Sequence, residues 1–349
     1  MNSTVRPAPT GKRGRRRRIP PNLFGIPFGI AGVADVWATA ASTLGISRAI
    51  PDAIDILAAV GWAAIVGLYF SQGRARLAAD VRDPVVAPFV ALSVIAPILP
   101  AVTLSGYAFE AARAVIVGLV ALTVLFGAWL TGQWIVGEID QDKLHPGYLL
   151  PTVAGGLVSA YAAAAVDMRA LAEALFGWGI VSWLLLGSLI MGRRFIRPPL
   201  APALIPTHAI EVAPPAVAGI AYFEINGGRI DLVATALAGY TAAMALVQLR
   251  LVPIYVRLPF SAGFWTFTLP YAALGTLGAL WIELKTPAGA SAYAVIDVGL
   301  ITVLVSAILA RSFIAIGRDQ FLPPVNGEPA DDQASATRAP EPRNAAVVK

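Results

Sequence analysis

Ten apolar stretches, each long enough to cross a membrane, dominate this chain of 349 residues. A membrane-spanning helix needs about 20 mostly apolar residues. Because backbone polar groups inside a bilayer must be satisfied within the segment, such stretches predict helices. The predicted fold class is therefore an all-α integral membrane protein with ten transmembrane helices. The stretches lie at 22–44, 51–71, 84–104, 108–132, 148–166, 170–192, 203–223, 230–250, 260–283 and 291–314.

Composition argues against a soluble enzyme and against most metal or cofactor sites. Only 13% of the residues are charged, about half the usual share of 25%, and the mean hydropathy is +0.70. The chain has no cysteine and only two histidines, His145 and His208. It also lacks a nucleotide-binding loop and the common hydrolase motifs. We therefore expect no cofactor, no metal and no enzymatic activity.

The distribution of positive charge predicts the orientation of the helices. With both termini inside, 21 of the 26 lysines and arginines fall on the inner side and 5 on the outer side. Without the termini, the inner loops still hold 9 and the outer loops 5. Because cytoplasmic segments carry an excess of Lys and Arg, both termini are predicted to be cytoplasmic. The Arg- and Ala-rich, cysteine-free composition favours a bacterial inner membrane.

The two ends of the chain differ from its apolar middle. Residues 1–21 form a basic arm that contains Arg15 to Arg18. We interpret this arm as a topology anchor that contacts anionic lipids, and we expect no nucleic acid as a partner. Residues 22–316 are predicted to form the transmembrane domain. Residues 317–349 are rich in Pro, Ala, Asp and Arg, which predicts a disordered cytoplasmic tail.

Prolines recur in the bodies of the odd-numbered stretches and give an internal repeat of about 60 residues, which indicates helical hairpins. Proline removes an i→i−4 hydrogen bond and kinks a helix. We therefore expect five kinked helices around a central path and five straight helices facing lipid. One such proline per odd stretch is found at Pro27, Pro97, Pro151, Pro214 and Pro270.

Glycines also concentrate on the predicted inner helices. Gly29 lies in the first stretch, and the pair Gly155 and Gly156 lies in the fifth. Small residues either leave room for a permeating species or allow close helix packing. Both interpretations stay open for each glycine.

Ionisable side chains inside the predicted spans are few and are functional candidates by default. Asp35 lies mid-span in the first helix. Glu211 lies in the seventh helix, with His208 one turn earlier on the same face. Such carboxylates could pass protons beside a substrate, or they could form structural pairs between helices.

The ninth stretch places bulky side chains directly before a proline. Phe264 and Phe267 are three residues apart and face one way on a helix, and Leu269 precedes Pro270. A bulky side chain at a kink can close a narrow pore, because hydrophobic constrictions gate by dewetting or occlusion. The same pattern also fits side chains that pack or face lipid.

Three segments resemble one known membrane-protein family. The most specific is HPGYLLPTVAGGLVSAYAAA at 145–164, and it is supported by FGIPFGIAGVADVW at 24–37 and FWTFTLP at 264–270. They resemble the tellurite-resistance/dicarboxylate transporter family. That family includes bacterial TehA-type proteins, fungal malic acid transporters and sulfite exporters, and plant guard-cell slow anion channels.

The resemblance implies a fold, an assembly and a gate. The fold would be five helical hairpins in quasi-five-fold order around a central pore lined by the odd helices. The assembly would be a homotrimer with one pore per subunit. Family members carry a pore-blocking phenylalanine on the ninth helix, and the matching positions here are Phe264, Phe267 and Leu269. Relatives often have an aromatic residue directly before the proline, where this chain has Leu269.

Three hypotheses about function follow. The first is a membrane anion channel or transporter for small anions or organic acids such as malate. The second is a proton-coupled exporter of dicarboxylate, sulfite or tellurite-type oxyanions, with Asp35 and Glu211 as proton sites. The third, a membrane-embedded enzyme or assembly subunit, would need a polar cluster such as Glu138, Asp140, Asp142 and His145.

Overall fold

The computed structural model describes residues 17–137 and 140–323. Most of the predicted basic arm and most of the predicted tail lie outside these residues, as does Glu138. The described residues contain ten helices that are long and apolar enough to cross a membrane, which confirms the predicted fold class. They are α1 (Pro21–Leu44), α2 (Ala49–Phe70), α3 (Ala87–Ser105), α4 (Phe109–Val136), α5 (Pro146–Ala165), α6 (Arg169–Ile196), α7 (Pro202–Asn226), α8 (Leu232–Tyr255), α9 (Ala262–Lys285) and α10 (Ala290–Gly317).

Every odd-numbered helix is interrupted, as its prolines predict. Four of them begin with a 3₁₀ turn or segment and become α-helical only afterwards, and α3 is divided into three short α-helical pieces. Helix α5 also contains a π-helical segment, Leu150–Ala154, around Pro151. Proline cannot donate the hydrogen bond that continues an α-helix, and 3₁₀ or π segments commonly absorb such a defect.

The even-numbered helices are each one continuous α-helix. The one proline within the predicted even-numbered stretches is Pro51, at the start of the second stretch. The structure corrects the predicted end of α8, which continues to Tyr255 and so includes Pro253 in its last turns. The predicted stretch ends at residue 250, whereas the helix continues through residues 251–255.

The odd helices form an inner layer and the even helices an outer layer. In the apolar part of the odd helices 56% to 78% of the residues are buried, against 17% to 28% in the even helices. The outer helices expose large apolar side chains such as Ile56, Leu184 and Leu300. This distribution matches inner helices that pack together and outer helices that face an apolar surrounding.

Contacts join the inner helices in a closed order. Helix α1 contacts α3 and α9, α5 contacts α3 and α7, and α7 contacts α9. Each even helix packs against two odd helices; α6, for example, contacts α5 and α7. The odd helices therefore enclose a central space. Quasi-five-fold symmetry of this ring stays a prediction.

The two ends of the described chain meet on one side of the helices. The Arg18 backbone N–H donates to the Pro323 carbonyl oxygen at 3.0 Å, and the Arg17 guanidinium donates to the Leu322 carbonyl oxygen at 3.0 Å. Arg18 also forms an ion pair with the buried Asp80, at the end of a short helix, Arg74–Asp80. Arg18 therefore contacts the membrane domain, and Arg17 contacts the first residues of the predicted tail.

Candidate functional site

A cavity lies at the centre of the inner ring. All of its described lining residues come from the odd helices, including Phe28, Leu92, Val153, Val217 and Leu269, one from each. Nearly all of the lining side chains are apolar. The space open to the centre of a water molecule is about 40 Å³. A single water needs about 10–15 Å³ by this measure, so the cavity has room for a few waters only.

The cavity lies at the level where the inner helices change their helical type. Gly25, the first α-helical residue of α1, and Ala213, the first of α7, both line it. In α5 the wall includes Ala154, the last residue of the π segment. In α9 the wall spans the change at Thr268, from Thr266 to Pro270. The backbone defects predicted from the prolines therefore surround the central space.

The three gate candidates lie in two different places. Leu269 lines the cavity, whereas Phe264 and Phe267 are not among its lining residues. The two phenylalanine rings do face one way, with centroids 5.6 Å apart. Phe267 is buried and packs edge-on against Tyr255 of α8, at 4.7 Å between ring centroids. The placement favours Leu269 as the side chain that narrows the path, and this role stays a prediction.

The five prolines predicted to line the path divide in the same way. Pro214 and Pro270 are part of the cavity wall, whereas Pro27, Pro97 and Pro151 are not among the lining residues. Pro151 lies in the π segment instead, and its carbonyl oxygen faces α4, where a Cβ added at Gly127 would lie 2.9 Å from it.

The three glycines lie at helix contacts. Gly29 lies directly against Thr268 of α9, and a Cβ at Gly155 would lie 2.9 Å from Thr123 Cγ2 of α4. A Cβ at Gly156 would lie 2.8 Å from the Cα of Gly179 in α6. This placement supports close helix packing for all three. Among the described residues that line the cavity, the one glycine is Gly25.

Glu211 and His208 form a cluster with a residue that the sequence analysis missed. The Arg194 guanidinium forms an ion pair with Glu211 and lies 2.7 Å from the Nδ1 of His208. The His208 carbonyl oxygen accepts a hydrogen bond from the Gln248 amide of α8 at 3.0 Å. Glu211 is 12% exposed and Arg194 28% exposed. The cluster therefore ties α6, α7 and α8 together, as expected of a structural pair.

Asp35 lies apart from this cluster, on another inner helix. It is in the second half of α1, whereas Glu211 is in the first half of α7. In the ring, α9 lies between α1 and α7, and no hydrogen bond or ion pair among the described residues joins the Asp35 carboxylate to Glu211, whose partners are Arg194 and His208. The structure therefore does not bring the two predicted proton sites together.

His145 fixes the start of α5 against α3. Its side chain is fully buried; Nδ1 accepts a hydrogen bond from the Gly147 backbone N–H, and Nε2 donates to the Val85 carbonyl oxygen, both at 3.1 Å. These partners assign the proton to Nε2. Burial lowers the pKa of His145 from 6.5 to about 4, and the nearby Arg193 guanidinium adds to this shift, whereas the Val85 hydrogen bond and Asp83 oppose it.

In the described part of the loop before α5, residues 140–145, the polar groups contact neighbouring backbone. The Asp140 carboxylate accepts from the Asp142 backbone N–H at 3.0 Å and so caps a short 3₁₀ turn. Arg193 donates to the carbonyl oxygens of Gln141 and Asp142. Among residues 17–137 and 140–323, no group of three or more His, Asp or Glu side chains is placed to hold a metal ion.

Comparison with known proteins decides the family. The profile of the voltage-dependent anion channel family (SLAC1) matches residues 18–314. The chain belongs to this family. It is also similar to the tellurite resistance protein TehA homolog of Haemophilus influenzae, with 25% identity over 307 residues, which are 87% of this chain and 92% of the relative.

Membership of this family relates the central cavity to anion transport. Members of this family are anion channels and transporters, and the protein is a multi-pass membrane protein with a role in transmembrane anion transport. Among the described residues that line the cavity there is no Lys or Arg, and the side chains with polar groups are Asn22, Thr266 and Trp265. An anion that passes here must lose most of its hydration shell against an apolar wall, which is costly.

Proposed function

We propose that the protein is an anion channel whose path runs through the inner ring and is closed at the central cavity by Leu269. The observation that carries this proposal is the apolar cavity, lined by odd helices alone among the described residues, with Leu269 and Pro270 in its wall. A space of about 40 Å³ holds a few waters and excludes a hydrated anion. The conformation therefore corresponds to a closed pathway with a hydrophobic constriction.

The permeating species would be small monovalent anions, with organic acids such as malate as larger candidates. The described part of the cavity wall carries no fixed positive charge, so binding of an anion there would be weak. Weak binding supports conduction, because an ion must leave a site as readily as it enters. The odd helices change type beside the cavity, and such backbone defects let the wall move without unfolding a whole helix.

The second candidate is a proton-coupled exporter of dicarboxylate, sulfite or tellurite-type oxyanions. Its support is the pair of carboxylates on inner helices, Asp35 and Glu211. Glu211 is engaged in an ion pair with Arg194, which favours a structural role. Proton coupling would therefore depend on Asp35 more than on Glu211.

Anion flux into proteoliposomes tests the two candidates. We expect Leu269→Ala to give a chloride or nitrate current at least about tenfold above wild type, the size of effect expected when the barrier falls by about 1.4 kcal/mol. The current should not depend on a pH gradient. Phe264→Ala is the matched control, because Phe264 is outside the cavity lining. Uptake that requires a proton gradient and is lost in Asp35→Asn would instead support the exporter.

We propose a homotrimer in a bacterial inner membrane, with residues 1–21 and 317–349 as cytoplasmic segments around a transmembrane domain at 22–316. The charge asymmetry of the loops supports the orientation, and the family resemblance supports the trimer. Native mass spectrometry tests the assembly. The absence of cysteine allows single-cysteine labelling: Arg82→Cys should react from the cytoplasmic side only, and Arg229→Cys from the opposite side only.

A further inference from the structure

One polar side chain in the cavity wall has no partner in the described protein. Asn22 lies in the first turn of α1 and lines the cavity. Its amide oxygen is buried and makes no hydrogen bond. Buried polar atoms are nearly always paired, so an unpaired amide oxygen on a residue of the cavity wall needs an explanation.

The other polar groups of the wall are already satisfied elsewhere. The Thr266 hydroxyl lies within hydrogen-bond distance of the carbonyl oxygens of Pro206 and Gly263, at 2.8 and 2.7 Å. The Trp265 indole N–H donates to the Ser312 hydroxyl of α10 at 2.9 Å. The Thr266 hydroxyl can therefore act only as an acceptor towards the cavity. The Trp265 N–H points away from the cavity, towards the outer helix α10. Among the described side chains that line the cavity, Asn22 is the one that can present a free donor.

An anion in this cavity needs hydrogen-bond donors to replace its water. The Asn22 amide carries two N–H donors and one acceptor. The described protein forms no hydrogen bond with this side chain, so its NH₂ group is free to turn towards an ion in the cavity that Asn22 lines. A hydrogen bond from a neutral amide to an anion is stronger than one between neutral groups, yet weaker than a full ion pair with Lys or Arg. This is the strength that a site in a conducting path requires.

We propose that the Asn22 amide binds one dehydrated monovalent anion, such as a halide or nitrate, in the central cavity. The site rests on the proposed channel function and supplies the selectivity that an apolar constriction by itself lacks. This binding explains why the Asn22 amide has no partner in the described protein: it binds an ion or, in the closed state, a water molecule. Dianions would be held poorly, because a single amide cannot replace their stronger hydration.

Bromide offers a direct test by anomalous X-ray diffraction, carried out on Leu269→Ala so that the cavity is wide enough for an ion. We expect an anomalous peak beside the Asn22 amide and its loss in the double variant Leu269→Ala/Asn22→Leu, which has nearly the same shape and no donor. Asn22→Gln in the same background retains an amide and should restore a peak. A bromide peak that survives Asn22→Leu, or water alone at Asn22 in the single variant, would overturn the proposal.

Flux measurements on the same proteins separate this site from the channel function. Asn22→Leu should raise the bromide concentration for half-maximal current at least about tenfold, the effect of losing a hydrogen bond to a charged group. A current in Leu269→Ala that Asn22→Leu leaves unchanged overturns the site and leaves the channel proposal standing. A bromide peak at Asn22 without any current supports the site and contradicts the channel proposal.

Discussion

The imidazole of His145 stacks on the phenyl ring of Phe89, with the ring centroids 5.6 Å apart and the planes 12° apart. Phe89 lines the central cavity, and His145 precedes the first residue of α5. The histidine also binds the Val85 carbonyl oxygen, just before α3. A single buried side chain therefore fixes the start of α5 and one cavity-lining ring of α3 in a common position.

The stability of the protein should depend on pH through His145. The pKa of this histidine is about 4 in the folded protein, below its ordinary value of 6.5. Between these values the unfolded chain binds a proton that the folded chain does not, so stability rises with pH. The contribution is fully present above about 6.5 and is lost as the pH falls towards 4. We expect about 2 kcal/mol less stability at pH 5 than at pH 7 from this group.

Melting temperatures in detergent across pH 4.5–7.5 would measure this dependence. His145→Gln should lower the melting temperature at neutral pH and flatten the acid side of the profile. His208→Gln is the matched control and should retain the wild-type slope. An unchanged slope in His145→Gln would contradict this assignment.

Phe267→Ala should destabilise the protein without opening the anion path through the inner ring. Phe267 is buried against Tyr255 and Phe264, and removal of such a ring costs about 3–5 kcal/mol. Thermal unfolding and flux measured on one preparation give both quantities. A large current in Phe267→Ala with wild-type stability would show that the gate is this phenylalanine and not Leu269.

Gly156→Ala should weaken the contact between α5 and α6. The added methyl would meet backbone atoms of Gly179 at 2.8 and 2.9 Å and the Leu175 carbonyl oxygen at 3.1 Å. Backbone cannot yield as a side chain can, so we expect a loss of about 1–3 kcal/mol, typical of overpacking. Gly118→Ala on α4 meets no atom within 4 Å and should be neutral or slightly stabilising. Equal melting temperatures for the two variants would argue against this packing.

Glu211→Gln should reduce stability because it leaves the Arg194 guanidinium without its carboxylate partner. Both groups are partly exposed, so we expect about 1–3 kcal/mol, below the cost for a fully buried pair. The double variant Arg194→Gln/Glu211→Gln should recover most of the loss, and a double-mutant cycle measures this coupling. If the double variant is no more stable than Glu211→Gln, the two residues are not a structural pair.

The sequence predicts the ten helices and the inner ring because their physical causes are local. Length and hydropathy define a span, and proline interrupts a helix wherever it lies. The predicted ends of the even helices are less accurate, since polar residues continue a helix beyond the apolar part. Helix α6 extends to Ile196, so Arg194 lies on its last turn and reaches Glu211. The sixth predicted stretch ends at residue 192, so the sequence did not place Arg194 on a helix and did not predict this ion pair.

The directions of side chains around the cavity could not be derived from the sequence. A 3₁₀ helix has three residues per turn and an α-helix has 3.6. The change of helical type at Thr268 therefore alters the direction in which each earlier side chain of α9 points. Phe264 and Phe267 are aligned in the 3₁₀ segment, and Leu269 beyond the change faces the cavity. For Gly29, the spacing of residues in the sequence is equally consistent with a place in the cavity wall and with a contact between helices.

The continuous outer helices have a consequence for how such a protein meets its bilayer. Rearrangements at the 3₁₀ and π junctions can remain within the inner layer while the outer surface keeps its shape. The protein then occupies the same area of membrane and matches the same lipid thickness whether the path is open or closed. Membrane tension does no work on a transition that leaves area unchanged, so stretching the bilayer would neither favour nor oppose opening.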